Sequence, residues 1–209
     1  MNNIKSPKEI PHDWFQKGIE SNFFQKYWHQ KRFKLIIKEL KKIDFSGDVL
    51  DAGCHSGDLT IILKKNFNCS ITGMDLSKDA IGYAKQRFPS INFISGDISS
   101  NVPFRDNSFD FVSAFDVLEH IPNINNAIKE LKRVLKPDGY LIVGLPAENI
   151  FFKVIWYFWV KLAAKNLNDQ HVHESFEENM QAFVRAGFEK VTIQKTHLGM
   201  WVLAVFIKR

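Results

Sequence analysis

The sequence is poor in cysteine and has no apolar run long enough to cross a membrane. Cys54 and Cys69 are the two cysteines among 209 residues, which is too few for a disulfide framework. A membrane-spanning helix needs about 20 consecutive apolar residues, whereas the most apolar segment covers only residues 150–160. No apolar run follows a basic start, as a secretion signal would require. These absences predict a cytoplasmic protein.

Net charge is also scarce outside the N-terminal segment. The formal charge is +5, from 28 Lys and Arg against 23 Asp and Glu. Residues 1–47 hold ten basic and five acidic residues, so basic and acidic residues balance in the rest of the chain. A neutral body argues against a nucleic-acid partner, whose phosphates attract a basic surface. The basic segment is either a solvated helix face or a contact for an anionic ligand or lipid.

Two nucleotide-binding fingerprints are missing as well. The chain has no G-x-x-x-x-G-K-[ST] loop for a nucleoside triphosphate and no G-x-G-x-x-G loop for a dinucleotide. These absences disfavour a triphosphate-binding enzyme and a nicotinamide-dependent oxidoreductase. No tandem repeat is present, which excludes a solenoid.

Predicted strands and helices alternate along the chain. Apolar residues at helical spacing predict a first helix over residues 33–43. The strands that follow are predicted at 48–51, 70–74, 91–95, 109–115, 140–145, 191–195 and 200–207, and helices at 59–67, 77–87, 123–135 and 175–187. Ser77 and Asn123 are the expected N-caps of two of these helices. This alternation predicts a doubly wound α/β fold with a seven-stranded, mostly parallel, Rossmann-like sheet and one antiparallel strand near its end. We expect it in residues 46–209, after a basic helical extension over residues 1–45.

The turn after the first predicted strand has the residues of an anion-binding loop. Ligands of open parallel sheets bind beyond the carboxyl ends of the strands. Gly53 permits close backbone approach, and Gly57 lies where the next helix begins, so that the N-terminal amides of this helix face the ligand. Because the phosphate fingerprints are missing, a small carboxylate is the anion that fits better.

Acidic residues also end the next two strands. Asp75 can accept hydrogen bonds from two ribose hydroxyls, and Asp97 can accept one from the exocyclic amine of adenine. The backbone N–H of Ile98 can serve a ring nitrogen, and Leu76 can cover one purine face. Each residue alone is compatible with an ordinary turn. Together with Asp51, these strand ends predict a ligand that carries a ribose and a carboxylate.

These motifs jointly resemble the class I S-adenosylmethionine-dependent methyltransferases, in particular small-molecule and quinone-type members. The likeness spans residues 30–209 and rests on the segments 49–57 (VLDAGCHSG), 73–77 (GMDLS), 95–98 (SGDI), 104–120 and 131–139. The resemblance implies S-adenosylmethionine as the cofactor and an acceptor pocket over the fourth and fifth strands. The candidate cofactor-binding residues are Arg32, Asp51, Gly53, Gly57, Asp75, Leu76, Asp97, Ile98 and Phe115.

One departure from the family lies in the glycine turn, residues 51–57. The family usually carries glycine where this chain has His55. The His55 side chain either points away from the cofactor or alters the site, and a contact near the methionine carboxylate is a third alternative. Arg32 resembles an arginine that holds the methionine carboxylate in some quinone-type relatives, or it is one more charge on a basic helix.

Catalytic residues are harder to infer because methyl transfer from a sulfonium releases a neutral thioether. The enzyme mainly positions the acceptor, and a base matters only where the acceptor must lose a proton. The end of the predicted fourth strand supplies the candidates Asp116, Glu119 and His120. The alternative is that Glu119 and His120 only hold the following turn. We expect no metal site.

Compared with the family that the sequence resembles, residues 146–173 are an aromatic insertion. Residues 150–160 contain six aromatic side chains and one charge, and a helix over 150–162 would be apolar nearly all round. Such a helix is a core element, a lid over the acceptor or an anchor at a membrane surface. His171 and His173 resemble a His-x-His motif that borders the acceptor pocket in related methyltransferases, or they are plain loop residues.

The sequence thus predicts an S-adenosylmethionine-dependent methyltransferase that acts on a hydrophobic small-molecule or lipid-linked acceptor. Peripheral membrane contact through residues 150–162 stays an open alternative to a purely cytoplasmic protein. The competing hypothesis is a non-catalytic S-adenosylmethionine-binding regulatory or scaffold subunit, and its one hint is His55.

Overall fold

A computed structural model describes residue 13, residues 23–147 and residues 176–209. The strands are β1 (Gly47–Ala52), β2 (Cys69–Asp75), β3 (Asn92–Ser95), β4 (Phe109–Phe115), β5 (Leu135–Pro146), β6 (Phe188–Thr196) and β7 (Trp201–Lys208). They form one seven-stranded sheet in the order β3-β2-β1-β4-β5-β7-β6. Only the pairs that β7 makes with β5 and β6 are antiparallel. The predicted fold class is confirmed, including its antiparallel strand.

Helices cover both faces of the sheet. They are α1 (Phe23–Leu40), α2 (Asp58–Asn66), α3 (Lys78–Arg87), α4 (Ile124–Val134) and α5 (Phe176–Arg185). The first three pack on one face of the sheet and the last two on the other. A short 3₁₀ turn, Leu118–His120, follows β4.

Each face has its own apolar core, and the strands alternate between them. In β1, Val49 packs under α1, α2 and α3, whereas the next residue, Leu50, packs under α4 and α5. This period of two is what a strand buried on both sides requires. Fully burying such a side chain contributes about 1.5–3 kcal/mol, so the two cores provide most of the driving force for folding.

Local sequence signals explain several helix boundaries. Ser77 caps α3, because its hydroxyl accepts a hydrogen bond from the backbone N–H of Ala80 at 3.2 Å. Asn123 stands at the N-cap of α4 but its side chain makes no capping bond. The stability of α4 comes instead from an apolar face in which every member is buried: Ile124, Ala127, Ile128, Leu131 and Val134.

Two starts of elements show the largest differences from the sequence prediction. Helix α1 begins at Phe23, earlier than its strongest apolar periodicity indicated. Strand β5 begins at Leu135, where the prediction placed the end of a helix. Leu135 pairs with Phe109 and Tyr140 with Phe111, so the residues between Leu135 and Tyr140 form an irregularity that the helical pattern conceals.

Helix α1 of the basic extension shares the core of the sheet. Ile36 and Leu40 are 1% and 0% exposed and belong to the same cluster as Val49. Charged residues such as Lys34 and Lys38 are exposed on the helix. Within its described residues, the extension therefore contributes a covering helix with one solvated face.

The predictions for the aromatic insertion fall largely outside the described residues. The described chain stops at Ala147 and resumes at Phe176, so residues 150–162, His171 and His173 lie beyond it. Within the described part of the chain, no helix combines the length and apolar character that crossing a bilayer requires.

Candidate cofactor and acceptor site

The sheet has a topological switch point between β1 and β4. These strands are neighbours, yet the helix that follows β1 covers one face and the helix that follows β4 covers the other. Such a reversal opens a crevice beyond the carboxyl ends of the strands, where open α/β sheets bind ligands. The strand ends singled out in the sequence all lie along this edge.

Asp51 lies beneath the glycine turn. It is 2% exposed and accepts hydrogen bonds from the Thr60 hydroxyl at 2.6 Å and the Ser113 hydroxyl at 2.9 Å. Burial raises the pKa of Asp51, and the two hydroxyl bonds oppose this shift. Its carboxylate joins β1, the first turn of α2 and β4, so it supports the turn from below. A direct cofactor contact by Asp51 stays a prediction.

The two glycines of the turn adopt left-handed backbone conformations. Gly53 has φ 82° and Gly57 has φ 77°, a region that L-residues with a Cβ avoid. A Cβ at Gly53 would lie 2.6 Å from the Cβ of Val117, and one at Gly57 would lie 2.7 Å from the ring of Phe93. Backbone and space thus both require glycine at these positions.

The turn is tied to the end of β2 through Asp75. One oxygen of Asp75 accepts a hydrogen bond from the backbone N–H of His55 at 2.9 Å, and the other accepts from the backbone N–H of Ser77 at 2.8 Å. Each carboxylate oxygen can accept a second bond, so both can still receive a ribose hydroxyl. The neighbouring Leu76 is 38% exposed, which suits a side chain that covers a ligand ring.

The remaining predicted cofactor residues differ in how much they can offer a ligand. One oxygen of Asp97 accepts from the backbone N–H of Ser99 at 2.8 Å and from its hydroxyl at 2.7 Å. The side chain of Ile98 is buried in the core, which leaves its backbone as the route to a ligand. Phe115 is also buried, and its ring stacks on Trp201 at 6.5 Å between centroids.

Arg32 has partners within the protein. Its guanidinium forms an ion pair with Asp116 and lies 4.5 Å from the centre of the Trp201 ring. The indole N–H of Trp201 donates to the other oxygen of Asp116 at 2.8 Å. Burial lowers the pKa of Arg32 to about 10, with Glu119 acting in the opposite direction, so the group stays charged at neutral pH. Contact with a methionine carboxylate, as the resemblance implied, stays a prediction for a side chain that is already paired.

The three catalytic candidates lie just after β4. Asp116 adopts a left-handed conformation with φ 50°, which strained functional residues often do. Glu119 is buried close to Arg32, and His120 is half-buried in the same turn. The structure therefore brings Asp116 and Glu119 to one arginine and keeps His120 nearer the surface.

Two histidines beside Arg32 were missed by the sequence analysis. The ring of His197 stacks on Trp28 at 3.8 Å between centroids. Burial, together with the charge of Arg32, lowers the pKa of His29 to about 3, and burial with the charges of Lys31 and Arg32 lowers that of His197 to about 4. Both imidazoles are therefore neutral near pH 7. We call Arg32, Asp116, Trp201, His29 and His197 the arginine cluster.

One sequence signal for this cluster existed. Gly144 lies within β5, and a Cβ there would collide with the ring of Trp201 and come within 2.6 Å of Phe115. An isolated glycine inside a strand often marks such a close approach. The residues around Gly144 in the sequence do not indicate that Trp201 is the side chain that approaches it.

A doubly wound sheet with a glycine turn after β1 and carboxylates at or just after the ends of β2 and β3 is typical of the class I S-adenosylmethionine-dependent methyltransferases. The chain belongs to this family, and S-adenosylmethionine is its cofactor. The family model described as a methyltransferase domain matches residues 50–143. The demethylmenaquinone methyltransferase of Staphylococcus haemolyticus is 30% identical over 221 residues, which cover 92% of this chain and 90% of that protein.

Solved structures share the fold. A S-adenosylmethionine-dependent methyltransferase from Methanosarcina mazei is 24% identical, with a TM-score of 0.63 over 77% of this chain and 92% of that one. The [4+2]-cyclase SpnF is 18% identical, with a TM-score of 0.70 over 87% of this chain and 82% of that one. The architecture by itself therefore does not decide the reaction.

Proposed function

We propose that this enzyme methylates a hydrophobic quinone-type acceptor of the demethylmenaquinone kind. The observation that carries this proposal is the likeness to demethylmenaquinone methyltransferases along nearly the whole chain. The aromatic composition of residues 150–160 agrees with a hydrophobic acceptor. Short chain-length analogues of such a quinone are suitable test substrates.

In this proposal, each strand end binds a different part of the cofactor. Asp75 accepts hydrogen bonds from the ribose hydroxyls, Asp97 accepts one from the adenine amine, and Leu76 covers a purine face. S-adenosylmethionine supplies a methyl group on a sulfonium, which is activated without help from an acid. The glycine turn lets the backbone approach the amino-acid tail closely.

We assign the arginine cluster to the methyl acceptor. Methylation at a ring carbon forms a carbon–methyl bond, breaks the sulfur–methyl bond and finally releases the proton of that ring carbon. A reduced ring is the better nucleophile because its oxygens donate electrons, and more so when one oxygen loses its proton. In this proposal the charge of Arg32, whose guanidinium pairs with Asp116 and lies over Trp201, stabilises such an oxygen. Glu119 and His120 are the candidate proton acceptors.

The test is turnover with a short-chain demethylmenaquinol, kept reduced, and labelled S-adenosylmethionine. We expect a methylated product by mass spectrometry, and no product from the oxidised quinone. Glu119→Gln and His120→Gln should lower kcat by about 10²-fold if each moves a proton. Glu189→Gln, an exposed change in β6, is the matched control. Turnover that both Glu119→Gln and His120→Gln leave unchanged would remove the acid–base role.

A non-catalytic binding subunit is the second candidate, because His55 departs from the family within the glycine turn and has φ 46°. This candidate predicts S-adenosylhomocysteine binding together with no turnover of reduced, oxidised or unrelated acceptors. A methylated product with any of them would exclude it.

Peripheral membrane contact is a separate part of the proposal and rests on the sequence of residues 150–162. Co-sedimentation with liposomes tests it. Replacing Trp156 and Trp159 by Glu should release the protein from the vesicles while S-adenosylhomocysteine binding persists. Equal binding of the wild type and this variant would contradict a role for the segment as an anchor.

A further inference from the structure

His55 occupies a backbone conformation that favours glycine. Its φ is 46°, between two glycines that are also left-handed. The backbone N–H of His55 donates to Asp75, the residue that we assign to the ribose. With the ribose placed at Asp75 as proposed, the imidazole belongs to the part of the turn next to the amino-acid tail of the cofactor.

The neighbouring contacts determine which ring nitrogen of His55 carries the proton. The Ser56 hydroxyl donates its single proton to the Asp58 carboxylate at 2.7 Å, and Asp58 is paired with Arg87 at 2.7 Å. Since that carboxylate can only accept, the Ser56 oxygen is left as an acceptor for Nδ1 of His55, 3.2 Å away. In a neutral ring, Nδ1 is then the donor and Nε2 carries the lone pair.

The other nitrogen of the ring lacks a partner. Nε2 of His55 is buried and makes no hydrogen bond to any residue that the structure describes. A buried acceptor without a donor is costly, and a ligand N–H would remove that cost. The cofactor's amino-acid tail carries such a donor, an ammonium group with three N–H bonds.

We propose that Nε2 of His55 accepts a hydrogen bond from the α-ammonium group of the cofactor and thereby positions the amino-acid tail. The inference rests on the placement of the cofactor given under the proposed function. It assigns His55 a gain that offsets its unfavourable backbone conformation. The departure from glycine then contributes to recognition of the cofactor.

The test compares three ligands by isothermal titration: S-adenosylhomocysteine, its deaminated analogue, and 5′-methylthioadenosine, which lacks the whole tail. His55→Gly removes the acceptor and restores the glycine expected in the family. We expect it to weaken S-adenosylhomocysteine binding by about tenfold or more, the size of one hydrogen bond to a charged group. Binding of the deaminated analogue and of 5′-methylthioadenosine should change by less than about twofold, since neither carries the donor.

His55→Asn serves as a second variant, because asparagine tolerates the left-handed conformation and keeps an amide acceptor. It should retain part of the affinity that His55→Gly loses. In the wild type, the ¹⁵N resonance of Nε2 should show an unprotonated nitrogen and should shift when S-adenosylhomocysteine binds but not when 5′-methylthioadenosine binds.

The possible outcomes separate this inference from the cofactor assignment. Equal weakening of all three ligands by His55→Gly would mean that His55 only shapes the turn, and the inference would be wrong. Unchanged or tighter binding of S-adenosylhomocysteine would overturn it as well. Failure of the wild type to bind any of the three ligands would instead refute the cofactor site itself.

Discussion

The glycine turn and the arginine cluster lie at the same edge of the sheet but are assembled differently. The hydrogen bond that ties the turn to Asp75 joins residues 20 positions apart, His55 and Asp75. In the arginine cluster, the bond from Trp201 to Asp116 joins residues 85 positions apart. The turn depends on backbone N–H groups and glycines, whereas the cluster depends on packed side chains. The glycine turn can thus be encoded in short sequence motifs. The arginine cluster depends instead on residues from distant parts of the chain.

The largest expected effect comes from changing the backbone of the glycine turn. Gly53→Ala adds a Cβ against Val117 at a positive φ, and should lower the free energy of unfolding by about 3 kcal/mol. S-adenosylhomocysteine binding should be lost as well. Gly82→Ala is the matched control, since a Cβ there meets nothing within 4 Å in an exposed part of α3, and it should raise stability by about 0.5–1 kcal/mol. Chemical denaturation measures the free energy of unfolding of both variants. An unchanged stability of Gly53→Ala would contradict the requirement for glycine in the turn.

Arg32→Met tests whether the arginine cluster acts separately from the cofactor. The change removes the ion pair with Asp116 and the stacking on Trp201, and should cost about 2 kcal/mol of stability. Affinity for S-adenosylhomocysteine should change by less than about threefold if Arg32 faces the acceptor. Lys38→Met, on the exposed face of α1, is the control. A tenfold loss of affinity at wild-type stability would instead support the methionine carboxylate as the partner of Arg32.

The buried histidines predict acid sensitivity that originates in the arginine cluster. The pKa of His197 is about 4 in the folded protein against an ordinary 6.5, so the unfolded chain binds more protons between these values. The contribution of neutral His197 to the free energy of unfolding is therefore fully present above pH 6.5 and is lost as the pH falls toward 4. His197→Asn keeps a residue that tolerates φ 52° and should reduce this loss by about 1–2 kcal/mol. Denaturation midpoints measured across this pH range check it, and an identical pH profile for the variant would exclude His197 as a source.

The smallest expected effect is at Leu76. Leu76→Ala removes a half-exposed side chain that we assign to the purine, so the Kd for S-adenosylhomocysteine should rise about fivefold. Stability should fall by about 1 kcal/mol, because the Leu76 side chain is 38% exposed and the rest of its surface is already covered in the free protein. Val184→Ala, also exposed but on α5, is the control for binding. Equal affinities for the Leu76 variant and the wild type would remove Leu76 from the purine contact.

The elements near the cofactor were the most predictable part of the molecule. Strand β4 was predicted with its observed ends, Phe109 and Phe115, because a run of buried apolar residues has few alternatives there. The cap at Ser77 was predicted as well, since a hydroxyl before a helix satisfies an N–H of its first turn. The start of β5 at Leu135 was missed, because its first residue continues the apolar spacing of α4.

The sequence alone determined the fold class, the order of its elements and the acidic and glycine residues at the carboxyl edge of the sheet. These follow from periodicity, capping and glycine placement, which act over a few residues and leave a mark in the local pattern. Only the tertiary structure decided that Arg32 pairs with Asp116, that Trp201 lies over Gly144 and that Nε2 of His55 is buried. Such contacts join residues far apart in the chain, and which side chains meet is set by how the helices and strands pack around the sheet.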